Sequence, residues 1–334
     1  MAVIMINDQA LWDKFVDESP YGLLFHKWDF LHIIEKHTGY QLLPYGIYKG
    51  DLLIAVFPLF YKKIMGLKTL FSPPPMSSVP YLGFVMYQEY DSLKQDRKEE
   101  YLNIVAEDVN SELENISPNY IFISLDKSNF DTRPFIWRGY NQDTHFTYVV
   151  DLNRELDDIW NSFNSLLRKN IRKGRKLGLE ILPDSDASNV YSMMKERYRE
   201  KGMNVAIVSA QYLQDLLECF PNELKCYSVY AKGAEKAVQT NIIYDYKRCI
   251  MWIGGMSTGD LIGVNDYFVW EMIQRAKAAG YKDLEYLGAN VKNLCKNRCF
   301  YNPSLELSFS LCKKDIYGKL GEWTYRNLIK KRWL

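Results

Sequence analysis

The stretch "ELKCYSVYAKGAEKAVQTNIIYDYKRCIMWIGG" (residues 223–255) decides the fold of the second half of the chain. Its three apolar runs are rich in β-branched and aromatic residues and are separated by two short turns, which predicts three consecutive strands. A loop, a helix closed by Gly280 and the strand "DLEYLGA" follow. Since a further helix, "NVYSMMKERYREKG", precedes the strands, this half is predicted to be an α+β unit with a mixed sheet.

The first half of the chain repeats the same order of elements. An amphipathic helix, "FHKWDFLHIIEKHTG", precedes two apolar runs around the turn Lys49-Gly50-Asp51, which predicts a β-hairpin. The two halves share two tyrosines three residues apart, a turn glycine and an Ala-Val pair: Tyr45, Tyr48, Gly50, Ala55 and Val56 match Tyr227, Tyr230, Gly233, Ala237 and Val238. The sequence therefore predicts two tandem domains, residues 1–150 and 151–334, although the last helix can pack back onto the first domain.

Three further segments complete the predicted architecture. "LFSPPPMSSVPYLGF" (residues 70–84) is expected to be an irregular loop because its prolines cannot join a central strand. "ELDDIWNSFNSLLRKNIRKGRKLG" (residues 155–178) is predicted to be one long helix. A loop with four glycines is predicted before a helix whose N-cap is Asn265 and whose first turn holds Asp266; these glycines are Gly254, Gly255, Gly259 and Gly263.

Bulk composition limits the classes of partner. The 334 residues include 42 Lys and Arg against 41 Asp and Glu, so a protein coated in DNA is not expected and electrostatic recognition must be local. The start, "MAVIMINDQALWDKF", lacks the basic region of a secretory leader, and no apolar run reaches the roughly 18 residues that span a bilayer. We expect a cytoplasmic protein without a transmembrane segment, for which transient contact with a membrane surface stays open. The six cysteines are scattered, and no metal site is expected.

The segment "SLLRKNIRKGRKLGL" (residues 165–179) concentrates positive charge. On a helical wheel, apolar residues form one stripe, and six cations occupy the opposite arc: Arg168, Lys169, Arg172, Lys173, Arg175 and Lys176. Such charge runs are usually solvated surfaces, but those usually mix signs. We therefore expect an anion here, such as the phosphates of a nucleotide, a lipid carrier or tRNA.

Motifs of several common chemistries are absent. The sequence contains no GxxxxGK[ST], no GxGxxG after a strand and no HExxH, and its four histidines all precede the second half. The glycine loop and the helix after it present backbone N–H groups and a helix dipole to an anion. Transfer of an acyl group from an activated ester or thioester to an amine fits these features, because it requires little side-chain chemistry.

The segment "YVVDL", followed by "IWNSFNSLLRKNIRKGRKLGLEI", resembles the segment by which FemABX-like aminoacyltransferases are recognised. The match consists of Asp151, Leu152, Trp160, Arg168, Ile171, Arg172, Lys173, Lys176 and Gly178. "FHKWDFLHIIEKHTGY" with "LFSPPPM", and "IGVNDYFVWEMIQRAKAAGYKDLEYLGA" with "FYNP", resemble other parts of these proteins, so the similarity spans most of the chain. The resemblance implies an α+β fold of two tandem GNAT-like acyltransferase domains.

The resemblance also implies roles for individual residues. The donor would be held by Gly259, Gly263, Asn265 and Asp266, and its phosphates by Arg168, Arg172, Lys173 and Lys176. Glu285 would be the general base, with Tyr267 and Tyr286 as acids or orienting groups. The acceptor cleft would be lined by Lys296, Arg298 and Tyr301. Helix capping and burial in the core are the alternative explanations for the donor-site pair and the tyrosines.

The predicted function is transfer of an aminoacyl or acyl group to an amine of a cell-envelope precursor or sugar. The donor would be aminoacyl-tRNA or acyl-CoA, bound as a co-substrate, and no permanent cofactor is expected. The amine would attack directly, with the donor carbonyl polarised by backbone N–H groups. Acyl-CoA-dependent N-acylation of a polysaccharide is an alternative that differs in the donor. A non-catalytic protein that binds a phosphate ligand or RNA is the alternative outside enzymes. The sequence predicts no oligomeric state.

Overall fold

The computed structural model describes residues 2–129, 131–200, 202–257, 262–325 and 327. The chain forms two compact units, Met1–Thr144 with Ser308–Leu334 and His145–Leu307. The boundary predicted at residue 150 therefore falls inside the second unit, and residues from Ser308 onward belong to the first unit. As a division between two copies of a sequence repeat, residues 1–150 and 151–334 stay a prediction.

The first unit is built from a six-stranded path of β-strands with helices before and within it. Its elements are β1 (Ala2–Met5), α1 (Gln9–Glu18), α2 (Trp28–Thr38), β2 (Gln41–Lys49), β3 (Leu52–Ile64), β4 (Leu67–Ser72), β5 (Val85–Met86), α3 (Gln95–Ile116), β6 (Tyr120–Ser124) and α4 (Arg133–Ile136). Two strands run from one unit into the other in sequence, β7 (Asn141–Asp151) and β13 (Ser304–Lys314). The helix α11 (Ile316–Thr324) follows β13.

The second unit holds the remaining elements. These are α5 (Leu156–Ser162), α6 (Ser165–Lys176), β8 (Glu180–Pro183), α7 (Ser188–Glu200), α8 (Ala210–Cys219), β9 (Leu224–Tyr230), β10 (Gln239–Tyr246), β11 (Arg248–Met256), α9 (Val264–Ala278), β12 (Asp283–Tyr286) and α10 (Lys292–Arg298). The three strands predicted from residues 223–255 are β9, β10 and β11, and they form consecutive antiparallel pairs.

Both units use the same strand order. In the first unit the path is β1-β2-β3-β4-β6-β13, and in the second it is β8-β9-β10-β11-β12-β7. The fourth and fifth strands of each path run parallel, which are β4 with β6 and β11 with β12, and the other adjacent pairs are antiparallel. The prediction of two tandem copies of one α+β unit is confirmed by this shared topology.

Each path ends in a strand along which the chain passes from one unit to the other. β7 follows the elements of the first unit, yet Tyr148–Asp151 pair with β12 of the second unit. β13 follows the elements of the second unit, yet Ser310–Lys314 pair with β6 of the first unit. The second unit is therefore continuous from His145 to Leu307, whereas the first unit is completed by residues from Ser308 onward, which follow the second unit in sequence.

Helices cover both faces of the second unit's sheet. On one face, α5, α6 and α9 bury a core that includes Ile159, Ile171, Phe268, Met251 and Tyr286. On the other face α7 packs closely, since a Cβ placed on Gly255 would lie 2.8 Å from the Val190 carbonyl oxygen. Among the helices of the described ranges, none combines the length and apolar character that crossing a bilayer requires.

Several predicted boundaries change. The prediction of one long helix over residues 155–178 is wrong, because Phe163 takes an extended conformation between α5 and α6. Asn164 caps α6 by accepting a hydrogen bond from the Leu166 N–H at 2.9 Å. The proline-rich loop begins later than predicted, because Leu70–Ser72 belong to β4. Gly254 and Gly255 lie within β11 rather than in the loop after it.

Candidate active site

The parallel strands β11 and β12 separate after three paired residues. Cys249–Met251 pair with Leu284–Tyr286, where β12 ends, while β11 continues to Met256 alongside β10. A β-bulge interrupts the pairing of β10 with β11 between Ile242 and Ile243, next to the point where the two parallel strands part. Because a bulge bends its strand and increases its twist, it contributes to this opening. Ligands of open α/β sheets bind beyond the carboxyl ends of parallel strands.

The helix α9 begins at this opening. Gly263 precedes it with a left-handed φ of 98°, and the helix starts at Val264, so the prediction of Asn265 as N-cap is wrong. A Cβ on Gly263 would lie 2.3 Å from the Asn170 carbonyl oxygen of α6. Asp266 lies in the first turn, as predicted. Gly259, predicted to hold the donor, lies outside the described residues.

A close crossing of α6 and α9 sets the geometry of the site. A Cβ on Gly174 of α6 would lie 2.4 Å from the Gly263 carbonyl oxygen and 2.6 Å from the Cβ of Tyr267. Only glycine at both positions lets the two backbones approach this far. The crossing therefore fixes α6 against the first turn of α9.

Asp266 is held between three elements. Asn170 of α6 donates a hydrogen bond from Nδ2 to the Asp266 carboxylate at 3.0 Å, and the Tyr301 hydroxyl donates another at 3.3 Å. Burial raises the pKa of the Asp266 carboxyl above its usual range, although these two hydrogen bonds counteract part of the effect. A raised pKa makes this carboxylate a better proton acceptor than an ordinary aspartate.

An aromatic and cationic cluster lies beside Asp266. The Tyr286 and Tyr301 rings meet edge to face at 5.7 Å, and the Arg298 guanidinium lies 4.2 Å over the Tyr286 ring. Burial raises the pKa of the Tyr301 hydroxyl well above its usual value, so this hydroxyl stays protonated. Arg298 occupies the space beside Gly288, where a Cβ would lie 1.8 Å from its Nη1.

A chain of amides connects β10, α9 and β12. Gln239 donates from Nε2 to the Asn265 side-chain oxygen at 3.2 Å, and Asn265 donates from Nδ2 to the Tyr286 hydroxyl at 3.5 Å. Among the described residues, three buried polar atoms near this chain have no hydrogen-bond partner: Gln239 Oε1, Asn241 Nδ2 and Arg298 Nη1. Buried polar atoms in folded proteins are normally satisfied, so these are available to a ligand.

Glu285 lies apart from this group. Successive strand residues point to opposite faces, so Glu285 faces away from the side on which Tyr286 packs against the core. The Glu285 side chain is fully buried and accepts a hydrogen bond from the Thr147 hydroxyl at 2.8 Å. Its predicted role as general base stays a prediction, but the structure does not bring it together with Asp266 or Tyr286.

Two other predicted residues are peripheral to the cluster. Tyr267 is half-buried on α9 against Gly174, and burial, followed by the charge of Glu271, raises the pKa of its hydroxyl. Lys296 is exposed on α10, whereas Arg298 and Tyr301 of the predicted acceptor cleft meet at Tyr286. The roles assigned to these residues stay predictions.

The basic face of α6 is solvent-accessible beside this site. Leu167, Ile171 and Gly174 are buried, and the opposite side carries Arg168, which is half-buried, and five exposed cations: Lys169, Arg172, Lys173, Arg175 and Lys176. Arg172 also lies 5.6 Å over the Trp160 ring. The ion pairs formed among the described residues involve other side chains.

Sequence reasoning missed the residues that connect these elements. Asn170 stands inside the basic run, and its contact with Asp266 depends on the crossing of two helices 96 residues apart in sequence. Gln239 and Asn241 could have been found from the sequence, because two amides two residues apart share one face of a strand whose centre is apolar. Within the described residues, no group of three or more His, Cys, Asp or Glu side chains could hold a metal ion.

Comparisons with known proteins agree with this fold. A family model described as an acetyltransferase (GNAT) domain matches residues 161–292. The crystal structure of FemX is similar at a TM-score of 0.66 and 13% identity, covering 92% of this chain and 97% of that chain. Among curated proteins, no sequence matches this chain.

Two further solved structures share the two-unit fold. The structure of L-PGS from Bacillus licheniformis has a TM-score of 0.58 at 12% identity and covers 97% of each chain. A tandem GNAT protein from the clavulanic acid biosynthesis pathway has a TM-score of 0.54 at 8% identity, covering 94% of this chain and 97% of that chain. At these identities the likeness shows the fold, while the sequence match shows the acetyltransferase domain. The chain is therefore an acyltransferase with a GNAT acetyltransferase domain over residues 161–292, and it shares the fold of FemX.

Proposed function

We propose that this acyltransferase moves an aminoacyl or acyl group from a phosphate-bearing donor to an amine of a cell-envelope precursor or of a sugar. The donor is an aminoacyl-tRNA or an acyl-CoA. One observation carries the proposal: the contact of Gly174 with Gly263 fixes the basic face of α6 to the first turn of α9 at the opening of β11 and β12. Phosphates on the basic face would therefore place the activated carbonyl near Asp266.

The first turn of α9 supports the same orientation of the donor. Its backbone N–H groups and the positive end of its dipole attract an anion, and α9 is 15 residues long. The cations of α6 repel one another when the site is empty, so an anionic ligand stabilises this arrangement.

The chemical step needs only positioning, polarisation and a proton acceptor. The amine nitrogen attacks the donor carbonyl carbon, a C–N bond forms, and the bond from carbon to the donor's oxygen or sulfur breaks. Beyond Met251, β11 no longer pairs with β12, so its backbone N–H groups on that side point into the opening. These N–H groups polarise the donor carbonyl. Asp266 accepts the proton that the amine loses, and the donor's leaving oxygen or sulfur receives a proton from solvent.

The acceptor side is supported by the polar atoms that have no partner among the described residues. Gln239 Oε1 accepts and Asn241 Nδ2 donates, so the pair fits a polar group that carries both an N–H or O–H and a carbonyl or hydroxyl oxygen. Arg298 Nη1 adds a positive donor beside Tyr286. Amines of peptides and amino sugars carry such neighbouring groups.

Calorimetric titration at low salt tests the donor. The purified protein is titrated separately with acetyl-CoA, with free CoA and with aminoacylated tRNA, and the titrations are repeated with Arg172→Ala/Lys173→Ala. The matched control, Lys195→Ala/Arg199→Ala, removes two exposed cations from α7 of the same unit. We expect single-site binding of one donor class, weakened by the first double substitution only. If the folded protein binds neither class, the proposal is wrong.

A second candidate is N-acylation of a polysaccharide amino sugar with acyl-CoA as the donor. The family model favours it, because the model describes an acetyltransferase domain. Binding of acetyl-CoA without binding of aminoacylated tRNA would select this candidate. Turnover is then measured with amino sugars, by release of free CoA.

A further inference from the structure

The helix α11 turns its smallest residues toward the protein. A Cβ on Gly318 would lie 2.0 Å from the Asn119 carbonyl oxygen, and a Cβ on Gly321 would lie 2.4 Å from the Leu67 side chain. Asp315 caps the helix by accepting a hydrogen bond from the Gly318 N–H at 2.7 Å. The inner face of α11 is therefore fixed by glycines and a cap rather than by large apolar side chains.

The large apolar residues of α11 face outward. Ile316 is 79% exposed and Trp323 is 57% exposed, and Leu320 between them completes an i, i+4, i+7 stripe that Tyr317 widens. Met65 at the turn between β3 and β4 is 86% exposed, and Leu67 of the same hairpin contacts Gly321. We call the five exposed side chains of this surface the α11 patch: Met65, Ile316, Tyr317, Leu320 and Trp323.

Positive charge lies beside the α11 patch and follows it in the sequence. Lys63 and Lys319 are exposed beside it. The sequence that follows α11, "RNLIKKRWL" (residues 326–334), contains Arg326, Lys330, Lys331 and Arg332 and no acidic residue. The acidic side chains of α11 and its cap are engaged, since Glu322 bonds with Lys314, and Asp315 bonds with Asn119 and the Gly318 N–H. The chain's net charge is only +1, so this positive surface is local.

We propose that the α11 patch seats this protein on the surface of a lipid bilayer that contains anionic phospholipids. An apolar helical stripe with Trp and Tyr, flanked by Lys and Arg, has the chemistry of helices that lie in the interface between headgroups and acyl chains. The basic residues after α11 attract anionic headgroups, while the stripe buries its apolar area among the acyl chains. This inference goes beyond the transfer reaction and does not depend on the identity of its donor or acceptor.

A second copy of this chain is a poorer occupant of the patch. Two copies would bring the same basic segments together, and like charges repel. Charge complementarity therefore favours the anionic bilayer.

Vesicle flotation tests the proposal with the full chain. The wild-type protein is mixed with vesicles of equal parts phosphatidylglycerol and phosphatidylcholine, and with vesicles of phosphatidylcholine alone. We expect flotation with the anionic vesicles that falls as salt is added. Leu320→Glu/Trp323→Glu should weaken the binding by about tenfold or more, because two inserted apolar groups are lost and two negative charges are added.

The control is Trp137→Glu, which places the same substitution at a tryptophan 63% exposed outside the α11 patch. Circular dichroism verifies that all variants fold. Lys330→Gln/Lys331→Gln/Arg332→Gln should weaken binding to anionic vesicles and leave any residual binding to phosphatidylcholine unchanged.

Three outcomes would overturn the inference. The wild-type protein could fail to float with anionic vesicles, or Trp137→Glu could weaken flotation as much as the double substitution does. Light scattering after size exclusion could instead find a dimer that Leu320→Glu/Trp323→Glu dissociates, which would assign the patch to a second copy of this chain.

Discussion

Two helix contacts in this molecule depend on glycines but have opposite consequences for the large side chains beside them. In the second unit, Gly174 and Gly263 bring the backbones of α6 and α9 together, and the large side chains around them are buried in the core. In the first unit, Gly318 and Gly321 seat α11, and its large apolar side chains are exposed. A glycine contact by itself therefore does not identify a core; the direction of the neighbouring large side chains does.

The first turn of α9 and the start of α11 also differ in the pKa of their carboxylates. Burial raises the pKa of Asp266 in the first turn of α9. Burial also acts on Asp315 at the start of α11, but hydrogen bonds from the Gly318 N–H and Asn119 outweigh it and lower the pKa of that carboxyl. A carboxylate with a raised pKa suits proton transfer, whereas one with a lowered pKa serves as a helix cap.

The largest expected effect is on kcat, which should distinguish Asp266 from Asp315. Asp266→Asn should reduce kcat by about 10²-fold or more, because loss of a general base typically removes that much. Asp315→Asn should leave kcat unchanged, since its carboxylate only caps α11. The measurement is steady-state turnover with the donor identified by titration. Equal kcat for Asp266→Asn and the wild type would remove Asp266 from the proton-transfer step.

The next effect separates the two glycine contacts by stability. Gly174→Ala should lower the free energy of unfolding by about 1–3 kcal/mol, because its Cβ meets the backbone of Gly263 and overpacks the crossing. Gly321→Ala should change it by less than about 1 kcal/mol, since its Cβ meets only the movable end of Leu67 and alanine favours a helix. Urea denaturation measures both. Equal losses would mean that the two contacts are equally rigid.

The pH dependence of stability should have opposite signs at the two carboxylates. The folded state binds a proton more tightly at Asp266, so its contribution is present below the unfolded pKa, near 3.9, and is lost as pH rises through the folded pKa. Asp315 contributes above the unfolded pKa and loses its contribution as pH falls through its lowered folded pKa.

Substitution by asparagine makes these signs measurable. Asp315→Asn should cost about 0.3–0.5 kcal/mol at neutral pH, because asparagine keeps the cap hydrogen bond but loses the negative charge at the helix N-terminus, and the loss should shrink in acid. For Asp266→Asn, the difference in stability from the wild type should move in favour of the variant as pH rises. Thermal unfolding from pH 3 to pH 7 checks both trends. Parallel trends would contradict the assignment of opposite shifts.

The smallest effect compares the charges of the two helices. Lys173→Gln removes the repulsion between Lys173 and the like charges of Lys169 and Lys176. It should raise the free energy of unfolding by up to about 0.5 kcal/mol at low salt. Lys319→Gln in α11 removes the attraction between Lys319 and the opposite charge of Asp315. It should lower the free energy of unfolding by a similar amount. Denaturation at low and high salt measures both changes, which should vanish together in high salt. A salt-independent difference would mean that packing, not charge, dominates.

The sequence predicted the repeated fold because each strand and turn carried its own local signal. The hairpin at Gly50, the three strands of residues 223–255 and the helix ends at Gly39 and Gly280 follow from alternation and from glycines with positive φ. The break between α5 and α6 was missed, because Phe163 continues the apolar periodicity while Asn164 caps a new helix.

The site was predictable in part. Asp266, Tyr286, Arg298 and Tyr301 were singled out, and the structure brings them together. Their partners depend on tertiary contacts that no local pattern encodes, as for Asn170 across the helix crossing. Glu285 was chosen because the resemblance places its strand beside the donor, whereas in the structure its side chain lies on the face opposite Tyr286.

The position of β13 after the second unit fixes when the path of the first unit is completed during synthesis. β6 ends at Ser124, but the residues that pair with it begin at Ser310, so nearly the whole second unit is made while that edge is open. At ribosomal rates of about 5–20 residues per second, this interval lasts roughly 10–40 s. An open edge accepts a strand from any chain that offers one. Nascent chains that meet during this interval can exchange β13, so a strand-swapped dimer is the misassembled species that this topology favours.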